Sequence, residues 1–529
     1  MTSPSRRTFL QSSAGAALAS ALPGPALSQG AAAGTLRFVP QSNLTSLDPV
    51  WTTATVTGNH GYYVFDTLYS TNARGEPKPQ MAEGHEVSAD GRVWRITLRP
   101  GLKFHDNEPV RAADCVQSLK RWATKDPFGQ LLAAVTEDWK AVDDRVLEIR
   151  LKKPFPLLLH AVGKAENACF MMPERLAKTD SAKQVTEMVG SGPYRFLPGE
   201  YVSGSRVVYE KFDGYVPRPE APEFATGGKH ALTPRIEWVV MPDPATAAAA
   251  LIKGEIDWWE RPLADLQPML AKSPDIRREI KDKAGRLCLA RLNCLHPPFN
   301  DVRLRRAVRL SVVQENYMQA TQGDDRSAWA VSRSLWPNNT PYHADYPDMM
   351  PGDLNKAKAA LKEAGYGGQK VVVINPTDYP DIGPLGLVTA DTLGKAGMNV
   401  DMQESDWGTV IQRRTSREPV EMGGWSIFHT TGGANLYGSP ATSTLVRGQG
   451  DTAWFGWWKS DKAEALTQDW LDAADEPTQR RVAAELDRLV LDEAPTIPLG
   501  QFTVRTAFRS NVQGLLEGLA PYPWNIRKG

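Results

Sequence analysis

The second half of this chain alternates between patterns typical of helices and patterns typical of strands. Residues 353–365 carry apolar side chains on one helical face and end in Ala-Gly, a common helix stop. A strand pattern over 370–374, a helix pattern over 385–397 and a strand pattern over 399–404 follow. Because strands separated by helices pair in parallel, this alternation predicts an α/β fold with a largely parallel sheet and helices on both of its faces.

The length of the chain requires more than one such unit. A chain of 529 residues exceeds what one hydrophobic core supports, so two or more domains are expected. Its composition, 41% hydrophobic and 23% charged, is ordinary for a soluble globular protein. The 61 basic and 61 acidic residues cancel and form no long block of one sign, so a nucleic-acid partner is not expected.

The first residues are typical of an export signal. Residues 5–11 match the twin-arginine motif, residues 14–22 are small and apolar, and a cleavage site fits 26–28 or 31–33. We therefore expect 1–33 to be a signal peptide that the twin-arginine machinery recognises, with export of the folded protein to the periplasm. The alternative is the basic start of a general secretory signal.

The cysteines favour neither a lipid anchor nor a disulfide. No cysteine precedes Cys115, so the predicted cleavage site offers no residue for lipid attachment. Cys288 and Cys294 lie in a strand pattern, where six residues span roughly 20 Å, well beyond the ~7 Å limit between bridged Cα atoms. Pairing of Cys115 with Cys169 is left open. No stretch after the signal is long and apolar enough to predict a transmembrane helix.

Residues 87–122 give the most detailed local prediction. A first strand ends in an Asp-Gly turn, and residues 93–99 then alternate with a period of two, as in a half-buried strand. A Pro-Gly pair ends that strand, and 112–122 has apolar residues at helical spacing. These patterns predict a mixed α/β segment and say nothing about function.

This stretch is one of several motifs that occur in a characteristic order. They are Leu-Asp-Pro at 47–49, Val-Phe-Asp-Thr-Leu-Tyr at 64–69, Pro-Gln-Met-Ala-Glu-Gly at 79–84, residues 87–119, Gly-Ser-Gly-Pro-Tyr-Arg-Phe at 190–196, Gly-Glu-Ile-Asp at 254–257, residues 287–307 and Asp-Glu-Ala-Pro-Thr-Ile-Pro-Leu at 492–499. The order resembles that of the extracytoplasmic solute-binding proteins of peptide-type ABC importers, the oligopeptide- and dipeptide-binding family (family 5). The resemblance implies a receptor that hands a captured di- or oligopeptide, or a related small solute, to ABC permease subunits in the inner membrane. Such a protein is not an enzyme.

The resemblance also implies an architecture. It is a class II-like periplasmic binding protein fold, with two α/β lobes joined by two crossing strands and an inset subdomain in lobe 1. The solute lies between the lobes, which close around it by a hinge movement. The implied boundaries are 34–61, 188–287 and 499–529 for the lobe 1 core, 62–187 for the inset, and 288–498 for lobe 2.

In peptide-binding members of the family, a Gly-Trp pair in lobe 2 precedes an aspartate that meets the amino group of the peptide. The pair is Gly424-Trp425 in this chain, and Phe428 stands where the aspartate is expected, with His429 beside it. A buried ammonium group needs a counter-charge. Phe428 therefore leaves open whether this protein binds a free peptide amine.

Arginines before the Gly-Trp pair meet the peptide carboxylate in some family members. Arg413 fits that place, and Arg414 and Arg417 are close to it, although Arg413 also fits a solvated helix residue. Other candidates for the cleft wall are mostly aromatic, because flat apolar faces bury a ligand at little entropic cost. They are Trp51, Thr52, Thr53, Tyr62, Trp258, Trp259, Trp329 and Trp454.

Other functions stay open beside peptide capture. A receptor for a nickel chelate, haem or an opine-like conjugate fits the same scaffold, with His429 as the residue that favours the first two. A chaperone or a sensor partner is a further use of this fold. An exported enzyme is the remote alternative, but the chain has no Cys-x-x-Cys, no Gly-x-Ser-x-Gly and no metal-ligand spacing among its eight histidines. We expect a monomer with no cofactor and no bound metal.

Overall fold

The computed structural model of the protein describes residues 34–473 and 475–529. The predicted signal peptide, residues 1–33, lies outside the described residues. Lobe 1 is built on a seven-stranded sheet with the predicted strand Thr35–Val39 at its centre. In spatial order its strands are Ile276–Ile280, Arg505–Arg509, Trp258–Trp259, Thr35–Val39, Arg235–Val239, Arg206–Lys211 and Tyr194–Phe196.

Lobe 2 is built on a six-stranded sheet. In spatial order its strands are Trp329–Ala330, Thr496–Phe502, Arg286–Leu292, Ile427–Gly433, Lys370–Pro376 and Asn399–Ser405. The predicted parallel pair is confirmed, because Lys370–Pro376 pairs in parallel with Asn399–Ser405. The prediction of a largely parallel sheet is wrong, since three of the pairings are antiparallel. The reason is that Arg286–Leu292, which enters from lobe 1, lies between Ile427–Gly433 and Thr496–Phe502 and runs opposite to both.

The inset is a four-stranded antiparallel sheet with helices against it. Its strands, in spatial order, are Ala82–Val87, Val93–Leu98, Val146–Leu151 and Thr136–Ala141. The predicted alternation is confirmed in Val93–Leu98, where Trp94, Ile96 and Leu98 are buried. The helix predicted at 112–122 is also confirmed, as Ala112–Trp122. Two short ribbons, Tyr69–Thr71 with Pro77–Pro79 and Val512–Gln513 with Arg527–Lys528, complete the strands.

The helices surround these three sheets. They are Thr55–Val64, Ala112–Trp122, Pro127–Val135, Leu158–Gly163, Glu174–Ala177, Pro244–Lys253, Gln267–Ala271, Val302–Leu310, Gln314–Gln322, Leu354–Glu363, Gly383–Ala396, Trp407–Arg413, Asp461–Asp472 and Glu476–Glu493. None of the helices in the described part of the chain is both long and apolar enough to cross a membrane. All four cysteines are free thiols.

Local sequence explains where the helices of the alternating region begin and end. The carboxylate of Asp353 accepts hydrogen bonds from the first backbone N–H groups of Leu354–Glu363, at 2.9 and 3.0 Å. Gly397 follows Gly383–Ala396 with φ +98°, a conformation that glycine adopts without the penalty of a side chain. The alternation in the sequence therefore carries its own start and stop signals.

The chain passes between the two lobes twice, and the two passages lie side by side. The lobe 1 strand Ile276–Ile280 is followed by Arg286–Leu292 of lobe 2, and Thr496–Phe502 of lobe 2 is followed by Arg505–Arg509 of lobe 1. The two lobe 2 strands pair with each other along their length. This arrangement agrees with the two crossing strands expected from the sequence, whereas the exact domain boundaries stay a prediction.

Two sequence motifs coincide with buried ion pairs in lobe 1 and the inset. Asp48 of Leu-Asp-Pro accepts two hydrogen bonds from the guanidinium of Arg121, at 3.1 and 2.6 Å, and both side chains are buried. The same carboxylate accepts the backbone N–H groups of Val50 and Val185. Asp66 pairs with the buried ammonium of Lys229 at 2.7 Å. These motifs therefore hold the scaffold together.

The backbone of the Gly-Ser-Gly motif at 190–192 lies so close to the backbone at 63–64 that glycine is required. The N–H of Gly192 donates to the carbonyl oxygen of Val64 at 2.8 Å. A Cβ atom at Gly190 would lie 2.0 Å from that same oxygen, and one at Gly192 would lie 2.6 Å from the carbonyl oxygen of Tyr63. Only glycine fits at either position without moving the backbone.

Replacing Gly190 with alanine should therefore destabilise the protein. We expect Gly190→Ala to lower the free energy of unfolding by about 1–3 kcal/mol through overpacking. Gly394→Ala is the matched control, because Gly394 lies in an exposed part of Gly383–Ala396 with nothing within 4 Å of an added Cβ. That change should raise the stability by about 0.4–1 kcal/mol. Denaturant titration followed by circular dichroism measures both, and equal stabilities for the two variants would contradict the packing argument.

Candidate ligand-binding site

The two lobes are in contact across their facing surfaces. Phe38 and Trp238 of lobe 1 belong to the same contiguous buried apolar cluster as Trp407, Trp425 and Phe428 of lobe 2. Hydrogen bonds also cross from lobe to lobe, for example from the hydroxyl of Tyr379 to Gln41 at 2.8 Å and from Gln449 to Gln130 of the inset at 2.9 Å. A cavity between these surfaces is enclosed by both lobes.

One such cavity, which we call the central cavity, lies where lobe 1, the inset and lobe 2 meet. Helix Thr55–Val64, the segment 165–170 and the segment 519–520 line one side of it, and the end of strand Ile427–Gly433 with the segment that follows lines the other. Its polar lining consists mainly of hydroxyl and amide groups. These residues are Thr53, Thr55, Asn59, Tyr62, Glu166, Asn167, Thr430, Thr431, Tyr437 and Thr444.

Three neighbouring cavities share residues with the central cavity. The first, which we call the aromatic cavity, shares Thr53 and Trp454 with the central cavity. Its lining also includes Trp51, Trp122, Phe455 and Trp457. The second, which we call the outer cavity, lies between the inset and lobe 2 and shares Glu166 with the central cavity. The third, which we call the basal cavity, shares Leu519 and Ala520 with the central cavity, and Trp258 and Arg286 also line it. The central cavity therefore has the other three cavities as its neighbours.

Glu166 is the charged residue that faces the central cavity. One oxygen of its carboxylate, Oε2, accepts a hydrogen bond from the backbone N–H of Leu436 in lobe 2, at 2.9 Å. Burial raises the pKa of this carboxyl group, an effect that the positive charges of Arg286 and Lys164 offset in part. A half-buried carboxylate without a close cation is a feature typical of a binding site.

Arg414 is the second group with unmatched charge. Its guanidinium is buried, lies 3.4 Å from the hydroxyl oxygens of both Thr52 and Thr53, and packs over the rings of Trp407, Phe428 and Phe455. Burial lowers its pKa to about 10. In the described part of the chain, no carboxylate forms an ion pair with it. A buried cation that meets hydroxyls and aromatic rings but no carboxylate is poorly compensated.

Arg413, the arginine favoured from the sequence, has a different environment. Its guanidinium is partly exposed and donates to the backbone carbonyl oxygens of Gly423 and Gly424, both at 3.0 Å. A Cβ atom at Gly424 would lie 1.8 Å from the carbonyl oxygen of Glu418. Arg413 and Gly424 therefore shape the turn that leads into Trp425.

Trp425 and Phe428 form one aromatic cluster with Trp454. The ring of Phe428 packs edge-on against Trp425 at 5.0 Å and against Trp454 at 5.5 Å, measured between ring centroids. Trp425 and Phe428 are both fully buried, so they lie behind the cavity surface, which Trp454 reaches. Phe428 supplies no charge, and the cluster is apolar.

His429 lies on the opposite face of its strand from Phe428. Its Nε2 is 2.7 Å from the hydroxyl oxygen of Thr389, on the helix Gly383–Ala396 that covers the sheet. Burial lowers the pKa of His429 to about 3, so the ring is neutral. Within residues 34–473 and 475–529, no three His, Cys, Asp or Glu side chains are arranged to hold a metal ion.

The other residues predicted for the cleft wall fall into two groups. Thr53 and Tyr62 line the central cavity, Trp51 and Thr52 line the aromatic cavity, and Trp258 lines the basal cavity. The remaining two tryptophans are core residues. Trp259 packs in an apolar cluster of lobe 1, and the indole N–H of Trp329 donates to the carbonyl oxygen of Gly323 at 2.9 Å.

Sequence reasoning missed Glu166 and Tyr437. Glu166 follows the short helix Leu158–Gly163 in a stretch with no motif, and Tyr437 lies in a loop after Ile427–Gly433. The one signal that could have pointed to this region is the pair Gly432-Gly433. A Cβ atom at Gly433 would lie 2.2 Å from the carboxylate of Glu166, and one at Gly432 would lie 2.2 Å from the hydroxyl oxygen of Tyr437.

Comparison with solved structures agrees with the two-lobed fold. The periplasmic binding protein AgaA from A. tumefaciens R10, in complex with agropinic acid, superposes with a TM-score of 0.77 and 19% identity over 94% of this chain and 99% of that one. DppA from Helicobacter pylori, in complex with the peptide STSA, gives a TM-score of 0.76 and 20% identity over 94% of this chain and 98% of that one. Both are two-lobed periplasmic binding proteins, so this chain has that fold.

Sequence comparison gives the family. A probable peptide ABC transporter periplasmic-binding protein of Sinorhizobium fredii, y4tO, is 37% identical over 491 residues, which cover 92% of each chain. The murein peptide-binding protein MppA of Escherichia coli is 26% identical over 475 residues, 83% of this chain and 82% of that one. The sequence profile of "Bacterial extracellular solute-binding proteins, family 5 Middle" matches residues 76–451, more than half of the chain. The chain belongs to family 5 of the bacterial extracellular solute-binding proteins.

Proposed function

We propose that this protein captures a di- or oligopeptide, or a related small solute, between its lobes and delivers it to the permease of an ABC importer in the inner membrane. The observation that carries the proposal is the group of neighbouring cavities between the lobes, to which lobe 1, the inset and lobe 2 all contribute. A solute bound there touches both lobes and stabilises their closed arrangement. The arrangement of the lobes that the permease meets then depends on whether a solute is bound.

The route to the periplasm is part of this proposal and rests on the sequence. Residues 1–33 act as a twin-arginine signal, and the folded, monomeric, soluble protein works without a lipid anchor. The division into a lobe 1 core (34–61, 188–287 and 499–529), an inset (62–187) and lobe 2 (288–498) belongs to the proposal too. It is supported by the strands, since each of the three larger sheets takes its strands from one of these parts, apart from a short overlap at the crossing.

The buried Arg414 supports a cargo that carries a carboxylate. Its guanidinium meets the hydroxyls of Thr52 and Thr53, and Thr53 lines both the central and the aromatic cavity. A carboxylate that displaces or joins these hydroxyls supplies the missing counter-charge through a charge-assisted hydrogen bond. The C-terminus of a peptide and the acid groups of an opine-like conjugate both offer such a carboxylate.

An opine-like conjugate, which need not present a free α-amine, is the second candidate cargo. Phe428 favours it, because this buried ring stands where peptide-binding relatives are expected to have the aspartate for the peptide amine. Nickel chelates and haem have less support, since the His429 side chain is directed to Thr389 and not to the central cavity.

Thermal-shift screening of the mature protein tests the function directly. The panel contains di- and tripeptides, opine-type conjugates, nickel chelates and haem. A solute at one hundred times its Kd stabilises the folded protein by ~2.7 kcal/mol, and the melting temperature rises accordingly. A protein that none of these solutes stabilises would not be a receptor of the proposed kind.

Filling the central cavity should weaken capture without unfolding the protein. Gly58 lines this cavity on helix Thr55–Val64, and an added Cβ there has nothing within 4 Å. We expect Gly58→Leu to weaken binding of the best solute by at least about tenfold because its side chain occupies the ligand's space. Gly394→Leu makes the same change on an exposed helix with equal room, and it should bind like the wild type. Calorimetric titration measures both, and equal Kd values would place the solute elsewhere.

The two neighbouring arginines should differ in their effect on binding. We expect Arg414→Gln to weaken binding of a carboxylate-bearing cargo by about tenfold or more, because it removes the buried positive charge. Arg413→Gln should have a smaller effect, because Arg413 donates to backbone carbonyls. A form of the same cargo whose carboxylate is replaced by an amide should bind the Arg413→Gln and Arg414→Gln variants with the same Kd. A larger loss in the Arg413 variant, with both proteins folded by circular dichroism, would reverse this assignment.

A further inference from the structure

We propose that Glu166 binds a cationic group of the cargo, a protonated amine or a guanidinium, from the side of the cleft opposite to the position where an aspartate is expected. This inference rests on the proposed function and narrows its substrate class. The cargo is then a molecule with one positive group at Glu166, and Phe428 does not exclude a free amine.

The charge of the central cavity carries the inference. Among the residues that line this cavity, Glu166 is the one with a charged side chain, and the rest are apolar, hydroxyl, amide or phenol groups. Its Oε2 accepts the N–H of Leu436, and its other oxygen, Oε1, has no hydrogen-bond donor in the described residues. A carboxylate with an open acceptor in a mostly uncharged cavity is a candidate site for a cation.

The basic groups around Glu166 donate their hydrogen bonds to other residues. Arg286, the strongest nearby positive charge, donates to the hydroxyl and carbonyl oxygens of Thr431 and to the hydroxyl of Thr55. The ammonium of Lys164 pairs with Asp126 at 2.6 Å. In the outer cavity, Arg74 pairs with Glu76. No ion pair within residues 34–473 and 475–529 includes Glu166.

The other titratable groups that act on Glu166 do not neutralise it. Asp282 adds a second negative charge, and its carboxylate accepts the backbone N–H groups of Ala284 and Gly285. The phenols of Tyr62, Tyr437 and Tyr522 are neutral, because burial raises the pKa of each of them. The surroundings as a whole therefore favour the arrival of a positive charge.

The backbone leaves room for this carboxylate. Gly433 lies at the end of strand Ile427–Gly433, and a Cβ atom there would be 2.2 Å from Oε1 of Glu166. Any side chain at that position would displace the carboxylate from the cavity. Gly433 of lobe 2 and Glu166 of the inset are therefore in close contact across the cleft.

Aromatic rings supply the rest of a cation site. Tyr62, Tyr437 and Trp454 line the central cavity together with Glu166. The negative faces of such rings attract ammonium and guanidinium groups, which adds to the attraction of the carboxylate. The hydroxyl of Tyr62 donates to the carbonyl oxygen of Ala165, next to Glu166, and fixes the ring in place.

The dependence of the melting temperature on pH distinguishes a ligand site at Glu166 from a structural ion pair at Glu166. In the empty protein the folded state resists ionisation of Glu166, so this residue reduces stability as the pH rises above the range of a free glutamate. Glu166→Gln should therefore melt about 1–3 °C higher than the wild type near pH 8, and the difference should shrink as the pH is lowered toward about 5. Glu137→Gln, an exposed change on strand Thr136–Ala141, should leave the melting temperature unaltered. A lower melting temperature for Glu166→Gln near pH 8 would mean that Arg286 already pairs with Glu166, and would overturn the inference.

Binding supplies the second test. Di- and tripeptides, each beside its N-acetyl form, are titrated into the wild type, Glu166→Gln and Glu137→Gln. We expect free peptides to bind the wild type and Glu137→Gln alike, and to bind Glu166→Gln about tenfold or more weakly. The acetylated forms should bind the wild type as weakly as the free forms bind Glu166→Gln. Free peptides that bind both proteins equally would overturn the role of Glu166 and leave the receptor function intact. Failure of every peptide to bind the wild type would overturn the inference about Glu166, whereas the receptor function would be overturned only if the opine-type conjugates, nickel chelates and haem of the thermal-shift panel also failed to stabilise the protein.

Discussion

The two connections between the lobes run side by side, and this constraint determines how the lobes can be arranged around the cleft. Arg286 at the start of one crossing strand pairs with Phe502 at the end of the other. Gly285 allows this close passage, since a Cβ atom there would lie 2.7 Å from the carbonyl oxygen of Phe502. Two adjacent strands form a narrow joint, and such a joint permits the hinge rotation that the proposed function requires.

Arg286 links the joint to the cleft. It is the first residue of a crossing strand, and its guanidinium reaches the hydroxyl of Thr55 in lobe 1 and Thr431 in lobe 2. The same charge acts on Glu166 at the edge of the central cavity. A cation bound at Glu166, as proposed above, would change the charge that Arg286 meets within the joint. The proposed cation site thus lies next to the connection between the lobes.

The fold could be predicted from the sequence to a large extent, because its signals are local. Start and stop residues such as Asp353 and Gly397 lie where the helices begin and end, and the motifs of the family coincide with structural contacts such as Asp48 with Arg121 and the close approach at Gly190. These residues hold the scaffold whatever the cargo is. A resemblance built on them identifies the family and carries little information about the ligand.

The site was harder to predict, because it depends on contacts between distant parts of the chain. Glu166 meets Leu436 and Arg414 meets Thr52, and no local pattern relates these positions. One limit could have been derived from sequence. Adjacent residues of a strand point to opposite faces, so Phe428 and His429 could not both face the cleft. The choice between Arg413 and Arg414 depended on how the helix end packs, which only the tertiary structure determines.

The position of Trp454 has a spectroscopic consequence. Its indole lies between the central and the aromatic cavity, with the guanidinium of Arg291 5.3 Å from its ring centroid and Phe428 against its edge. Indole emission depends on the polarity and the charges around the ring, so either an occupied cavity or an opened cleft alters it. Trp454, one of 16 tryptophans in the chain, is thus an intrinsic fluorophore in the wall of two candidate binding cavities. Loading of these cavities can be followed in real time, on unlabelled protein, with solutes whose identity is not known in advance.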